Sequence, residues 1–139
     1  MLRGALVGGA VGGALGAAKP LVLGANVTGN ASVQQNLQYG ERYYGTDFSQ
    51  VTVREGGLMT DVLGNQGITF GNSVSLQTGM TAHQGLMLHE LAHVLQYEAM
   101  GGVAPFLGAY AYESAKCLCY EANPFEVAAR GASGWPPSQ

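Results

Sequence analysis

The feature that most constrains this chain is a helical segment with two histidines four positions apart. Residues 82–100 carry apolar side chains at helical spacing, and Gly101 begins a glycine pair that ends the segment. Within it stands the sequence His-Glu-Leu-Ala-His, whose histidines are His89 and His93. Positions i and i+4 lie about 40° apart around a helix, so both imidazoles project from one side. We therefore expect them to reach a single metal ion.

The other positions of this segment predict how the helix is oriented. Thr81 precedes it and is a candidate N-cap. An apolar stripe runs along the side opposite the histidines, and its members are Leu88, Ala92, Leu95 and Ala99. We therefore expect the stripe to meet the core and the histidines to face a cleft or solvent.

Glu90 follows the first histidine and is predicted to lie beside the ion rather than on it. This arrangement on a helix is the pattern of zinc peptidases. Zinc lowers the pKa of a bound water from about 15.7 towards 7. A neighbouring carboxylate can then take the proton as a general base. The motif thus predicts Zn2+ as cofactor, Glu90 as catalytic base and a peptide or protein as substrate.

A catalytic zinc usually has three protein ligands, and the third is predicted to be a carboxylate. The remaining histidine, His83, precedes His89 by six positions and points elsewhere on the helix. Glu126 opens a predicted helix that starts after Asn123, from which an acid can be aimed at the first helix. The same spacing also suits a capping box, in which Glu126 would bond back to Asn123. Weaker ligand candidates among the downstream acids are Glu98, Glu113 and Glu121.

Short elements separated by glycines and turn residues predict an α+β fold. A hairpin is expected from Ile68–Phe70 and Val74–Leu76, because each alternates apolar and polar side chains around Gly71-Asn72. The remaining predicted elements are a short helix at 33–39, a strand at 51–53, a helical turn at 58–63 and helices at 105–120 and 124–132.

The first 25 residues differ in composition from the rest. Between Arg3 and Lys19 there is no charged or polar side chain, and a glycine stripe repeats every four residues at Gly4, Gly8, Gly12 and Gly16. Fifteen residues fall short of the roughly 20 that a membrane-spanning helix needs. A signal peptide, a membrane-associating glycine zipper and a packed extension remain as alternatives. We predict a boundary between residues 1–25 and a domain at residues 26–139.

Charge and cysteine content argue against a nucleic-acid-binding protein and against a disulfide-stabilised one. Six Lys and Arg residues stand against nine Asp and Glu, giving a formal net charge of −3, so a basic nucleic-acid surface is not expected. Cys117 and Cys119 are two positions apart, too close for an unstrained disulfide in a regular segment, and are interpreted as thiols.

The segment from His89 to Gln96 resembles the signature of the extracellular contractile injection system core domain. Two upstream segments, Tyr44–Val53 and Ile68–Gly71, are similar to that family in the same order. The resemblance covers about residues 40–97. It implies a compact zincin-like metallopeptidase fold, with a small β-sheet packed on the active-site helix and a second helix. It also implies a bacterial or phage source and a link to injection machines or their toxins. Secretion or membrane association is instead an expectation from residues 1–25, which lie outside the resemblance.

The resemblance also assigns site residues. The segment that contains Glu126 is similar to the ligand helix of small zincins of the glutamate class, which implies Zn2+ held by His89, His93 and Glu126. Arg130 stands where larger members of that class carry an aspartate that orients a histidine. The residue that stabilises the oxyanion is left open, and the candidates are Tyr97, Tyr110 and Tyr112.

Two functions are consistent with these observations. The first is an injection-system-associated effector or processing peptidase that uses residues 1–25 to contact a membrane or the secretion machine. The second is a catalytically silent, metal-stabilised binding or structural module of an injection system.

Overall fold

The computed structural model describes residues 20–117 and 122–134 of the 139-residue chain. The predicted glycine stripe, the side chains of Cys117 and Cys119, and the alternative ligand Glu121 lie outside the described residues. The boundary at residue 25 therefore stays a prediction. Among the helices of the described ranges, none combines the length and apolar character that a membrane crossing requires.

A small mixed sheet forms one layer of the fold. Its strands are β1 (Gly24–Asn26), β2 (Thr52–Gly56), β3 (Gly67–Phe70) and β4 (Ser73–Leu76), in the spatial order β1-β2-β4-β3. β1 is antiparallel to β2, β2 is parallel to β4, and β3 is antiparallel to β4. Thr69 pairs with Val74 in the predicted hairpin, which is confirmed. β3 is an edge strand and contacts the helix that carries His89 and His93.

Helices form the second layer. They are α1 (Ala31–Tyr44), α2 (Gln84–Ala99), α3 (Val103–Cys117) and α4 (Pro124–Ser133), and a π-helical turn spans Leu58–Val62. The predicted α+β class is confirmed. α1 is twice the predicted length, because the Asn30 side chain accepts from the Ser32 and Val33 amides at its start and Gly45, at φ 65°, ends it.

α2 is the central element, and the prediction of one apolar face is wrong. Its residues are buried without interruption from Leu86 to Val94, whereas Ala99 of the predicted stripe is exposed. The helix is enclosed because α1 and the strands β2 and β4 cover one side, while the edge strand β3 and the helices α3 and α4 cover the other. The prediction that Thr81 is the N-cap is also wrong. The cap is His83, whose Nδ1 accepts from the Leu86 amide at 3.0 Å.

The main core lies between one face of the sheet and the helices α1 and α2. Val53 and Val74 of the sheet meet Leu37 of α1 and Leu91 of α2 in this core. The two helices approach closely at Gly40, where a Cβ atom would lie 2.4 Å from Leu91 Cδ1. Glycine at this position therefore lets α1 pack closely against α2.

Candidate metal centre

The predicted ligands meet at one point. Nε2 of His89 lies 3.1 Å from Oε1 of Glu126, and Nε2 of His93 lies 3.2 Å from the same oxygen. The two imidazole rings are nearly perpendicular, with centroids 4.9 Å apart. All three residues are at most 6 % exposed. Their ligand atoms lie within 4.8 Å of one another, so this group could hold a metal ion.

Glu126 reaches this point because α4 starts where the sequence predicted. Asn123 caps the helix by accepting from the Phe125 amide at 2.9 Å, and Pro124 occupies its first turn. The Asn123 amide also donates to the Tyr110 carbonyl and to Ser114 Oγ, which fixes α4 against α3. Asn123 is thus the cap, while the Glu126 carboxylate turns toward the histidines.

Tyr110 holds the second oxygen of Glu126. Its hydroxyl donates to Glu126 Oε2 at 2.7 Å, so the carboxylate presents Oε1 to the two imidazoles. Tyr110 was a candidate for stabilising the oxyanion, but its hydroxyl is engaged by the predicted ligand Glu126. The Tyr97 hydroxyl donates to the Thr69 carbonyl at 3.0 Å, so it too is directed elsewhere. Tyr112 is 65 % exposed and lies beside Lys116, away from the site.

Glu90 lies on the opposite side of α2 from the core, against β3. Its Oε1 accepts from the Thr69 hydroxyl at 2.7 Å. Gly67 makes room for the carboxylate, since a Cβ atom there would lie 3.0 Å from Oε2. Glu90 lines a cleft together with His93 and Glu126. The remaining lining residues are Asn65, Gly67, Ile68, Thr69, Tyr97, Phe106 and Tyr110.

The charges of the site are strongly coupled. Burial lowers the pKa of His93, but the adjacent Glu126 carboxylate, with a contribution from Glu90, outweighs burial and raises it to about 9. Burial raises the pKa of Glu126, but His93 and His89 outweigh burial and hold it well below its usual range. Without a metal, the site therefore holds a carboxylate against an imidazolium, and a metal cation would take the place of the proton.

The sequence analysis did not predict two polar contacts of the site. One is the hydrogen bond from Thr69 to Glu90, and the other is made by Gln96. Gln96 Oε1 lies 2.8 Å from Nδ1 of His93, and Gln96 Nε2 donates to the Phe125 carbonyl at 2.9 Å. A signal for the contact with His93 exists, because positions i and i+3 are neighbours on a helix. The contact with Phe125 joins residues 29 positions apart and has no local signal.

The alternative ligands that lie in the described ranges, Glu98 and Glu113, do not join the group. Glu98 is exposed at the end of α2, and Glu113 pairs with Lys116 at 3.2 Å on the surface of α3. Glu121 lies outside the described residues. Among the described acids, Glu126 is therefore the one that approaches both histidines.

Comparison with known proteins identifies the family. No curated protein and no solved structure matches the chain. A family model, the eCIS core domain, matches residues 30–101, which is more than half of the 139 residues. The match includes α1, the sheet strands β2 to β4 and α2, and it ends before α3. Membership associates the chain with an injection-system machine. The chain belongs to the eCIS core domain family.

Proposed function

We propose that this chain is a zinc-dependent metallopeptidase of the zincin type. The observation that carries the proposal is a buried group of His89, His93 and Glu126, two of which, His93 and Glu126, line one cleft together with a second carboxylate, Glu90. A buried ion pair alone would account for His93 and Glu126, but it would not need both imidazoles to share one oxygen.

The spacing of the ligand atoms suits zinc. Zinc binds imidazole nitrogen and carboxylate oxygen at about 2.0–2.2 Å in tetrahedral geometry, which places neighbouring ligand atoms about 3.3 Å apart. The two nitrogen-to-oxygen separations, 3.1 and 3.2 Å, are close to that value. His89, His93 and Glu126 would hold the ion, which would supply a Lewis acid that acidifies water and polarises a carbonyl group.

In this proposal Glu90 is the general base. Its Oε1 is engaged by the Thr69 hydroxyl, so Oε2 takes a proton from water that attacks the peptide carbonyl. Glu90 then returns the proton to the leaving amine. The aromatic rings of Tyr97, Phe106 and Tyr110 line the cleft and give it a partly apolar wall, which strengthens electrostatic interactions beside it.

We also place the enzyme in a bacterium or phage, as an effector or processing enzyme of an injection system. Residues 1–25 would bring it to a membrane or to the secretion machine. The apolar glycine stripe in the sequence supports this part of the proposal.

A second candidate is a catalytically silent module that uses the metal for stability. The observation that favours it is burial, since Glu90 and the three ligands are each at most 6 % exposed. α3 contributes Phe106 and Tyr110 to the cleft wall and thereby limits access for a peptide. A silent module would bind zinc and hydrolyse nothing.

The test compares the full chain with Glu90→Gln, which keeps the size of the side chain and removes its basicity. Glu98→Gln is the matched control, because Glu98 is exposed on the same helix. We expect zinc in all three proteins and hydrolysis of an unfolded protein substrate in the wild type and the control. Glu90→Gln should be slower by about 10²–10⁴-fold. A zinc-loaded wild type that cleaves nothing would favour the silent module, and a fully active Glu90→Gln variant would exclude Glu90 as the base.

A further inference from the structure

The candidate metal centre is assembled from two helices that are distant in sequence. α2 supplies His89 and His93, and α4 supplies Glu126. A metal ion tolerates only small errors in the position of its ligands, so the two helices need a link close to the site. Gln96 makes such a link, because its side chain contacts His93 on α2 and the backbone of Phe125 on α4.

The Phe125 contact fixes the orientation of the Gln96 amide. A backbone carbonyl can only accept a hydrogen bond, so the amide nitrogen of Gln96 must face the Phe125 carbonyl, at 2.9 Å. The amide oxygen of Gln96 must then face Nδ1 of His93, at 2.8 Å. An oxygen acceptor at that distance requires Nδ1 to carry the proton.

The orientation of the amide therefore selects the tautomer of a neutral His93. With the proton on Nδ1, the lone pair is on Nε2, which is the nitrogen that lies 3.2 Å from Glu126 Oε1. The ring is also held in the rotation that aims Nε2 at the site. The other end of Gln96 contacts the residue immediately before Glu126, so both ligands are located by one side chain.

We propose that Gln96 is the positioning residue of the metal centre, which sets the tautomer of His93 and the register of α4 relative to α2. The inference rests on the proposed function, because it assumes that the three ligands bind a metal ion. Outer contacts to ligand histidines typically change metal affinity by about 10–100-fold. Arg130, which stands where larger members of the glutamate class carry an aspartate, cannot accept a hydrogen bond from an imidazole.

The test is a titration of the metal-free full chain with Co2+, whose visible absorption reports the geometry of its ligands. Gln96→Met removes both polar contacts at similar side-chain length, and Gln96→Glu keeps an acceptor for His93 but loses the donor to Phe125. Gln84→Met is the matched control, because Gln84 is exposed at the start of the same helix.

We expect Gln96→Met to weaken Co2+ binding by about 10–100-fold and to alter the absorption bands. Gln96→Glu should lie between that variant and the wild type, and Gln84→Met should match the wild type in affinity and spectrum. Wild-type affinity and spectrum in a folded Gln96→Met variant would overturn the positioning role and leave the proposed function standing. A folded wild type that binds neither Co2+ nor Zn2+ would overturn the proposed function and this inference together.

Discussion

The two parts of the chain that build the candidate site are held in different ways. Residues 30–101 contain α1, most of the sheet and α2, and they share a continuous apolar core. Residues 103–134 contain α3 and α4, which meet α2 through an aromatic cluster that includes Phe106 and Tyr110. The family match covers the first part and ends before the second.

The two parts contribute different residues to the candidate site and hold them by different contacts. The first part supplies His89, His93 and Glu90 on a helix enclosed by packing. The second part supplies Glu126, which is located by one hydrogen bond from the Tyr110 hydroxyl and by the helix cap at Asn123. Changes in the apolar core of the first part should therefore act mainly on folding, and changes to the contacts of Glu126 in the second part should act mainly on metal binding.

The largest effect is expected in the first part. Leu91 is fully buried between α1 and the sheet, so Leu91→Ala should lower the free energy of unfolding by about 2–5 kcal/mol. Urea unfolding followed by circular dichroism measures this change. Val62→Ala, at a side chain 69 % exposed, is the control and should stay within about 0.5 kcal/mol. Equal stability of the two variants would contradict the assignment of α2 to the core.

The next effect concerns the contact between α3 and the third ligand. Tyr110→Phe removes the donor to Glu126 Oε2 and should weaken Zn2+ binding by about 10–100-fold while leaving the fold intact. Tyr112→Phe is the matched control, because Tyr112 lies on the exposed side of the same helix. Competition with a chelator measures both affinities. If the two variants bind zinc equally well, the Tyr110 contact has no role in holding the ligand.

The pH dependence of metal binding tests the charge coupling across the two parts. The pKa of His93 is raised to about 9 in the metal-free chain, so at pH 6–8 this imidazole is protonated and a metal must displace the proton. Affinity should therefore fall about tenfold for each unit that pH drops, which is about 1.4 kcal/mol. Calorimetry in two buffers should show uptake of about one proton by the buffer at pH 7. A pH-independent affinity between 6 and 8 would show that His93 is neutral before metal binds.

The smallest effect compares two helix caps of the same residue type. Asn30 caps α1 in the first part, and Asn123 caps α4 in the second. Each change to Ala should cost about 1 kcal/mol of stability, with more at the buried Asn123. Hydrogen exchange measures the loss of stability in each variant, and zinc titration measures its affinity for the metal. Only Asn123→Ala should weaken zinc binding, and an equal loss in Asn30→Ala would remove the distinction between the two parts.

The sequence predicted those features whose causes are local. The two histidines of α2, the hairpin from Ile68 to Leu76 and the start of α4 at Asn123-Pro124 are each encoded within a few residues. The burial of α2 on both sides was missed, because α3 and α4 cover a surface that the helical pattern alone assigns to a cleft or solvent. The contacts of Gln96 and Tyr110 were also missed, since they depend on where the chain returns to α2.

The most direct test of the account is the metal content of the full chain, purified without chelator, beside Glu126→Ala. Glu98→Ala is the control, because Glu98 is an exposed acid on α2. We predict one zinc ion per chain in the wild type and the control, and loss of the ion in Glu126→Ala. Zinc retained at full occupancy and affinity in Glu126→Ala would contradict the three-ligand site and with it the link between the two parts of the molecule.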